Sequence, residues 1–135
     1  KNKAHDILEA SKKSVIASIL IFLFTLIIPL GELGGLFHAF LALPLLCAYA
    51  GYEATKKLKL GLADAALAGL LVIVATEVVT FFPQLFLESL GYLPPGTLAA
   101  LSSGDFTVFL IYYAIEAFVG VFFGAVGAFI GSKTR

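Results

Sequence analysis

The chain has 135 residues, 60% of them hydrophobic and 13% charged, with nine basic and nine acidic side chains and a formal net charge of zero. A soluble domain is roughly half apolar and about a quarter charged, so this composition, with a mean hydropathy of +1.01, excludes an ordinary soluble protein, a disordered chain, collagen and a disulfide scaffold. The balance points to a lipid bilayer.

The first residues, KNKAHDILEASKK, are charged, with Ala4, Ile7, Leu8 and Ser11 at helical spacing. They predict a lead-in helix whose lysines meet anionic headgroups; His5 has no expected role there. A spanning helix needs about 20 apolar residues, and four stretches approach that, at about 14–30, 33–52, 60–82 and 106–131. They are too long for strands and lack period-two alternation. The first has no small-residue cleavage site and ends in Ile-Pro-Leu-Gly-Glu, so it is expected to be retained rather than removed as a signal peptide. Residues 31–35 predict a tight outer turn and 53–59 a short basic inner one. Between the last two spans lies a longer outer segment, 83–105. There Pro83 is expected to start a new helical turn, Gly91 and Pro94-Pro95-Gly96 to turn the chain, and Thr97 to cap a short helix ending at Gly104. Its leucines suit the membrane interface; a lid over a site in the bundle is the sharper alternative.

Topology follows from the cations. Lys1, Lys3, Lys12, Lys13, Lys56, Lys57, Lys59, Lys133 and Arg135 all fall before span 1, between spans 2 and 3, or after span 4. The opposite loops hold Glu32, Glu88 and Asp105 and no basic residue. The positive-inside rule then places both termini in the cytoplasm. The expected fold is all-α: an integral membrane antiparallel four-helix bundle in one domain, residues 1–135, in the cell membrane, with a long outer interfacial loop. The two helical hairpins have the same topology, so they are not an inverted repeat.

Small residues mark the packing faces. Span 4 carries Gly120, Gly124, Gly127 and Gly131, a stripe that continues outward through Glu116, Tyr113 and Phe109. Span 3 offers a matching face of Ala66, Gly69, Ile73, Glu77, Thr80 and Gln84, with Thr76 beside it. Span 2 is expected to group His38, Ala42 and Tyr49 with Gly34 or Gly35, and Pro44 to kink it and free a carbonyl. Span 1 has a thinner stripe of Ser14, Ala17, Ser18 and Thr25. Cys47 is expected to be a small packing residue, since a lone cysteine forms no internal disulfide.

Three titratable residues fall within the spans. At about 1.5 Å per residue, Glu77 and His38 lie roughly 7–8 Å inside the outer boundary and Glu116 about 15 Å deep. An acidic residue at the bilayer centre costs on the order of 2.5–3.5 kcal/mol on insertion scales. Glu77 and Glu116 are therefore expected either to tie helices together as hydrogen-bond donors or to bind a proton or cation. For the second role the candidate lining is His38, Thr76, Glu77, Thr80 and Glu116 with Tyr112 or Tyr113, mostly hard oxygen donors. A metal is chemically possible there, but no ligand-spacing motif supports one. Asp64 is expected to pair with Lys57 or Lys59, or to sit on the positive end of helix 3.

There is no phosphate-binding loop, nucleophile elbow, zinc-protease motif or paired cysteine, so neither an enzyme nor a cofactor is expected. The scattered cations lack interleaved aromatics and give no support for nucleic-acid binding. One Asn, one Gln, one Cys and no Met resemble thermophile usage. The strings GLADAALAGLL and GAVGAFIGS, with the basic turn between hairpins, resemble small uncharacterised archaeal four-span membrane proteins, a likeness that implies no activity. Fluoride channels and small multidrug exporters are similar in length and span number, but their motifs are missing and span 1 has no acidic residue. The expectation is a small proton- or cation-linked transporter or channel subunit. The alternative is an assembly subunit of a larger membrane complex. Either would contact membrane lipids and either a second copy or other membrane subunits.

Overall fold

Four helices account for nearly all of residues 2–27, 37–91 and 106–134, the residues described by the computed structural model. Helix α1 is Lys3–Ile27, α2 is Leu43–Lys56, α3 is Leu62–Ser89 and α4 is Phe106–Lys133. A π-helical turn, His38–Ala42, leads into α2. Each helix grows from an apolar run, and local chemistry sets several of its ends. The Asn2 side chain accepts the Ala4 amide at 3.0 Å and Asp6 lies in the first turn of α1, both favourable at a helix start. At the end of α2, Lys59 takes a left-handed backbone with φ of 58°, and the Leu60 amide returns to the Ala54 carbonyl at 2.9 Å. Gly91, with φ of +81°, closes the turn after α3.

The π turn follows from Pro44. Proline has no N–H and its ring collides with the carbonyl four residues back. The chain widens by one residue instead, so the Leu43 amide reaches the His38 carbonyl. Helical direction is kept, and one carbonyl of the turn is left without a helical donor.

Consecutive helices run antiparallel in a packed all-α bundle. Helices α2 and α3 contact each other and both contact α1 and α4, whereas α1 and α4 lie on opposite sides. The shared core is built from small residues. Ala50, Ala54, Ala65, Ala68, Ser14 and Cys47 are sealed from solvent, and the largest fully buried side chain among the described residues is Val72. Such a core lets backbones approach closely. Large apolar side chains go outward instead: Ile27, Phe40 and Phe118 are 79%, 76% and 69% exposed. An apolar exterior this extensive is foreign to a soluble monomer.

Several expectations change. Among the described residues, two helical segments are long and apolar enough to cross a membrane, Leu62–Phe82 and Leu110–Lys133, rather than four. The first half of α1 is charged, and α2 has 14 residues after its π turn. The charged lead-in and the apolar run 14–27 form one continuous helix. Helix α3 passes through Pro83 to Ser89 without a break, so Pro83 does not begin a new element. The outer turn at 31–35, including Glu32, Gly34 and Gly35, lies outside the described residues. So do 92–105, with Thr97, Gly104 and Asp105, and the side chains of Gln84, Glu88 and Phe109.

Candidate functional site

Close backbone contact between α3 and α4 builds the site. Gly69 lies against the backbones of Gly120 and Gly124, and Gly120 against Ile73 and Leu70. Antiparallel helices held in that register bring position 77 opposite position 116, one turn further along. There the side chains of Glu77 and Glu116 come together, with Tyr113 beside Glu77. Tyr112, one turn before Glu116 on α4, lies beside the Glu116 carboxyl. The two tyrosine rings meet edge to face with centroids 5.2 Å apart.

Donor and acceptor counting gives this pair its chemistry. An ionised carboxylate only accepts hydrogen bonds, so a bond between two carboxyls requires a proton on one of them. Two carboxyls side by side repel when both are ionised, and one proton shared between them would remove that repulsion. Oε2 of Glu116 is buried and has no hydrogen-bond partner among the described residues. The pair therefore keeps one acceptor in reserve.

The other expected site residues go elsewhere. His38 is buried against α1, its Nε2 lying 3.1 Å from Ser18 Oγ and 3.2 Å from the Ser18 carbonyl. Its ring also meets Phe22 edge-on at 5.8 Å. It thus fastens the π turn to α1 and does not join the carboxyl pair. Tyr49 faces a different way, more exposed and bonded to Glu53, because the extra residue of the π turn rotates His38 off its face. Thr80 donates to the Thr76 carbonyl of its own helix at 2.7 Å. Thr76 is wholly buried, and its hydroxyl has no partner among the described residues. Of the expected lining, Glu77, Glu116 and Tyr113 come together with Tyr112, while His38, Thr76 and Thr80 are not among them. Among the described residues no group of three or more His, Cys, Asp or Glu could hold a metal ion.

The glycine stripe serves two neighbours. Gly120 faces α3, and Gly124 touches Gly51 of α2 as well as Gly69 of α3. Gly127 meets Ala48 and Tyr52 of α2, and Gly131 meets Tyr52 and Thr55.

At the opposite end, sequence reasoning missed Glu53. It is a buried carboxylate in α2. Lys57 Nζ lies 2.8 Å from its Oε1 and Lys13 Nζ 3.8 Å from its Oε2, and the Tyr49 hydroxyl donates to it at 2.9 Å. Burial alone pushes this carboxyl up. Hydrogen bonds from Lys57 and Tyr49, with the charges of Lys57 and Lys13, outweigh that and hold it below the ordinary carboxylate value. The reciprocal bond raises the Lys57 ammonium. The available signal was its spacing of four before Lys57 on a helix. Asp64 pairs with Lys3 at 3.4 Å, rather than with Lys57 or Lys59, because the start of α1 lies beside the start of α3.

A groove of about 900 Å³ opens between α2 and α4 beside the carboxyl pair. Ala39, Phe40 and Pro44 form one wall, Tyr112, Glu116 and Phe123 the other, and Ile73 lies at its base. Comparison with protein-family models, curated proteins and solved structures finds no match for this chain.

Proposed function

We propose that the chain is a small membrane transporter or channel subunit whose Glu77–Glu116 pair binds and releases a proton or cation. The observation that carries this reading is the meeting of two carboxyl side chains between α3 and α4, with a buried Glu116 oxygen left unpaired among the described residues. In this reading all four helices cross the cell membrane, and the end carrying Lys3, Lys13, Lys57 and Lys133 is cytoplasmic, as the positive-inside rule requires. The chain works with membrane lipids and a second copy or other membrane subunits, without nucleic acid, cofactor or catalysis.

The close glycine packing of α4 favours a second reading, an assembly subunit in which the same carboxyls only join helices. Two measurements separate the readings. Infrared difference spectra over a pH titration in lipid should show a protonated-carboxyl band that weakens in Glu77→Gln and in Glu116→Gln. Proteoliposomes should pass protons or cations faster than empty vesicles, and both variants should stop this while eluting and melting like the parent. If the parent conducts nothing and the variants fall apart, the transport reading is wrong. Glutamine keeps a hydrogen-bond donor and acceptor but carries no exchangeable charge, so it tests the proton rather than the contact.

A further inference from the structure

We infer that the seam between α2 and α4 binds one anionic phospholipid, its phosphate held by Lys56, Lys133 and the Tyr52 hydroxyl and its acyl chain running outward into the groove lined by Pro44 and Phe123. This rests on the four-span placement proposed above and makes no use of the carboxyl pair.

Charge comes first. Lys56 ends α2 and Lys133 ends α4. The two ends touch: a Cβ at Gly131 would lie 3.0 Å from the Tyr52 carbonyl oxygen and 3.5 Å from the Lys56 amide nitrogen. Lys3 is paired with Asp64, and Lys13 and Lys57 with Glu53. Lys56 and Lys133 have no acidic partner among the described residues. Each lies over a ring of its own helix instead, 5.2 Å from the centre of Tyr52 and 5.3 Å from that of Phe129. The negative ends of the two helix dipoles absorb about half a charge each. Two ammoniums therefore leave a surplus of about one positive charge, which matches one phosphodiester. Lys56 Nζ donates to the Tyr52 hydroxyl at 2.8 Å. A tyrosine hydroxyl that accepts still has its own proton to donate, here to a phosphate oxygen.

The apolar seam makes the anion a lipid rather than a free phosphate. Residues seven apart share a helix face, so Leu45 stands outward of Tyr52 on α2 and Phe123 outward of Ile130 on α4. Leu45 and Ile130 are both exposed. Beyond them, level with the π turn, opens the groove of about 900 Å³, whose lining is apolar apart from Glu116 and Tyr112. Phe40 and Ile115, which line it, are exposed on the outside of the bundle. The groove is thus entered from the side, where acyl chains lie in the four-span placement.

Length fits as well. Pro44 to Lys56 is about 18 Å of helix, and Phe123 to Lys133 about 15 Å. One leaflet of the hydrocarbon core is about 15 Å thick. A lipid whose phosphate sits on the two lysines therefore brings its chain ends to the near end of the groove. The groove continues outward to Tyr112, so long chains gain a contact that short chains do not reach.

The test uses the full chain in detergent, with native mass spectrometry reading retained lipid as phosphatidylglycerol or phosphatidylcholine is added. The parent should prefer one phosphatidylglycerol over phosphatidylcholine of the same chains, by about fivefold for each lysine. Lys56→Gln with Lys133→Gln should remove that preference. Lys12→Gln, on the helix that does not touch α4, should leave it intact. Val119→Trp, which fills the groove, should weaken dipalmitoyl phosphatidylglycerol and leave the dihexanoyl form unchanged. Circular dichroism and elution volume confirm that each variant is folded. Equal binding of the two headgroups overturns the inference, as does an unchanged preference in the double lysine variant. Dihexanoyl binding as tight as dipalmitoyl, full dipalmitoyl binding in Val119→Trp, or displacement of the lipid by glycerol 3-phosphate also overturns it. A carbene reagent dissolved in the acyl chains of nanodiscs reads the placement separately. Labelling of α1 and α2 without a headgroup preference overturns the lipid site alone, and absence of labelling there overturns the four-span placement with it.

Discussion

Adding one methyl group at successive glycines of the α4 contact should damage the bundle in an order set by what each new carbon meets. At Gly124 a Cβ would sit 2.8 Å from the Ala65 carbonyl oxygen and 3.1 Å from the Cα atoms of Ala66 and Gly69. These are backbone atoms, so relief requires α3 and α4 to separate by about 0.4–0.7 Å to regain an ordinary contact of roughly 3.5 Å. A gap of that size forfeits about a quarter of the attraction of each pair it opens. Overpacking of this kind costs about 1–3 kcal/mol, more than the roughly 1 kcal/mol that alanine gains over glycine in a helix. At Gly127 the carbon would overlap the Ala48 carbonyl and reach 2.9 Å from the Tyr52 amide, so this site should suffer most. At Gly131 the approaches are 3.0, 3.3 and 3.5 Å, and at Gly61 nothing lies within 4 Å. Thermal melts of the purified variants in one detergent should rank Gly127→Ala below Gly124→Ala, then Gly131→Ala, with Gly61→Ala at the parental value. Infrared spectra should also show a disturbed Glu77–Glu116 pair in Gly124→Ala, since the same separation pulls the carboxyls apart. Parental stability in Gly127→Ala, or greater damage in Gly131→Ala, would refute the close-packing argument.

Other substitutions test single contacts. Ser14 donates to the Leu46 carbonyl at 2.7 Å from a fully buried position, so Ser14→Ala should cost about 1 kcal/mol in denaturation midpoints. Thr76→Val removes a buried hydroxyl that bonds nothing among the described residues; it should be neutral or stabilising by up to about 1 kcal/mol and should leave any flux unchanged. Lys59→Gly relieves a left-handed backbone and should raise the melting midpoint, by about 1 kcal/mol at most after the added chain entropy of glycine. Glu53 supplies a pH signature. Its folded carboxyl lies below the ordinary value, so its stabilisation is complete above the ordinary carboxylate range and is lost as pH falls through its own lower value. The parental midpoint should drop there, and Glu53→Gln should lack that step.

Much of the architecture is legible from residue order because helix formation is local. The apolar runs mark four helices, the cations mark one end of the bundle, and the spacing of Gly120, Gly124, Gly127 and Gly131 marks the close face of α4. Glu116 lies on that face by the same periodicity, and Glu77 on the corresponding face of α3. Partnership is a different matter, since it depends on which turn of one helix meets which turn of another. The register that joins Glu77 to Glu116 comes from backbone contact at Gly69, Gly120 and Gly124. His38 looked like a third member by depth, but the one-residue π turn before Pro44 swings it about 100° around the helix and onto Ser18. Asp64 found Lys3 and Glu53 found Lys13 because helices far apart in sequence start and stop side by side. Periodicity along the chain decided which residues share a face. Contact between backbones decided which faces, and therefore which carboxyls, meet.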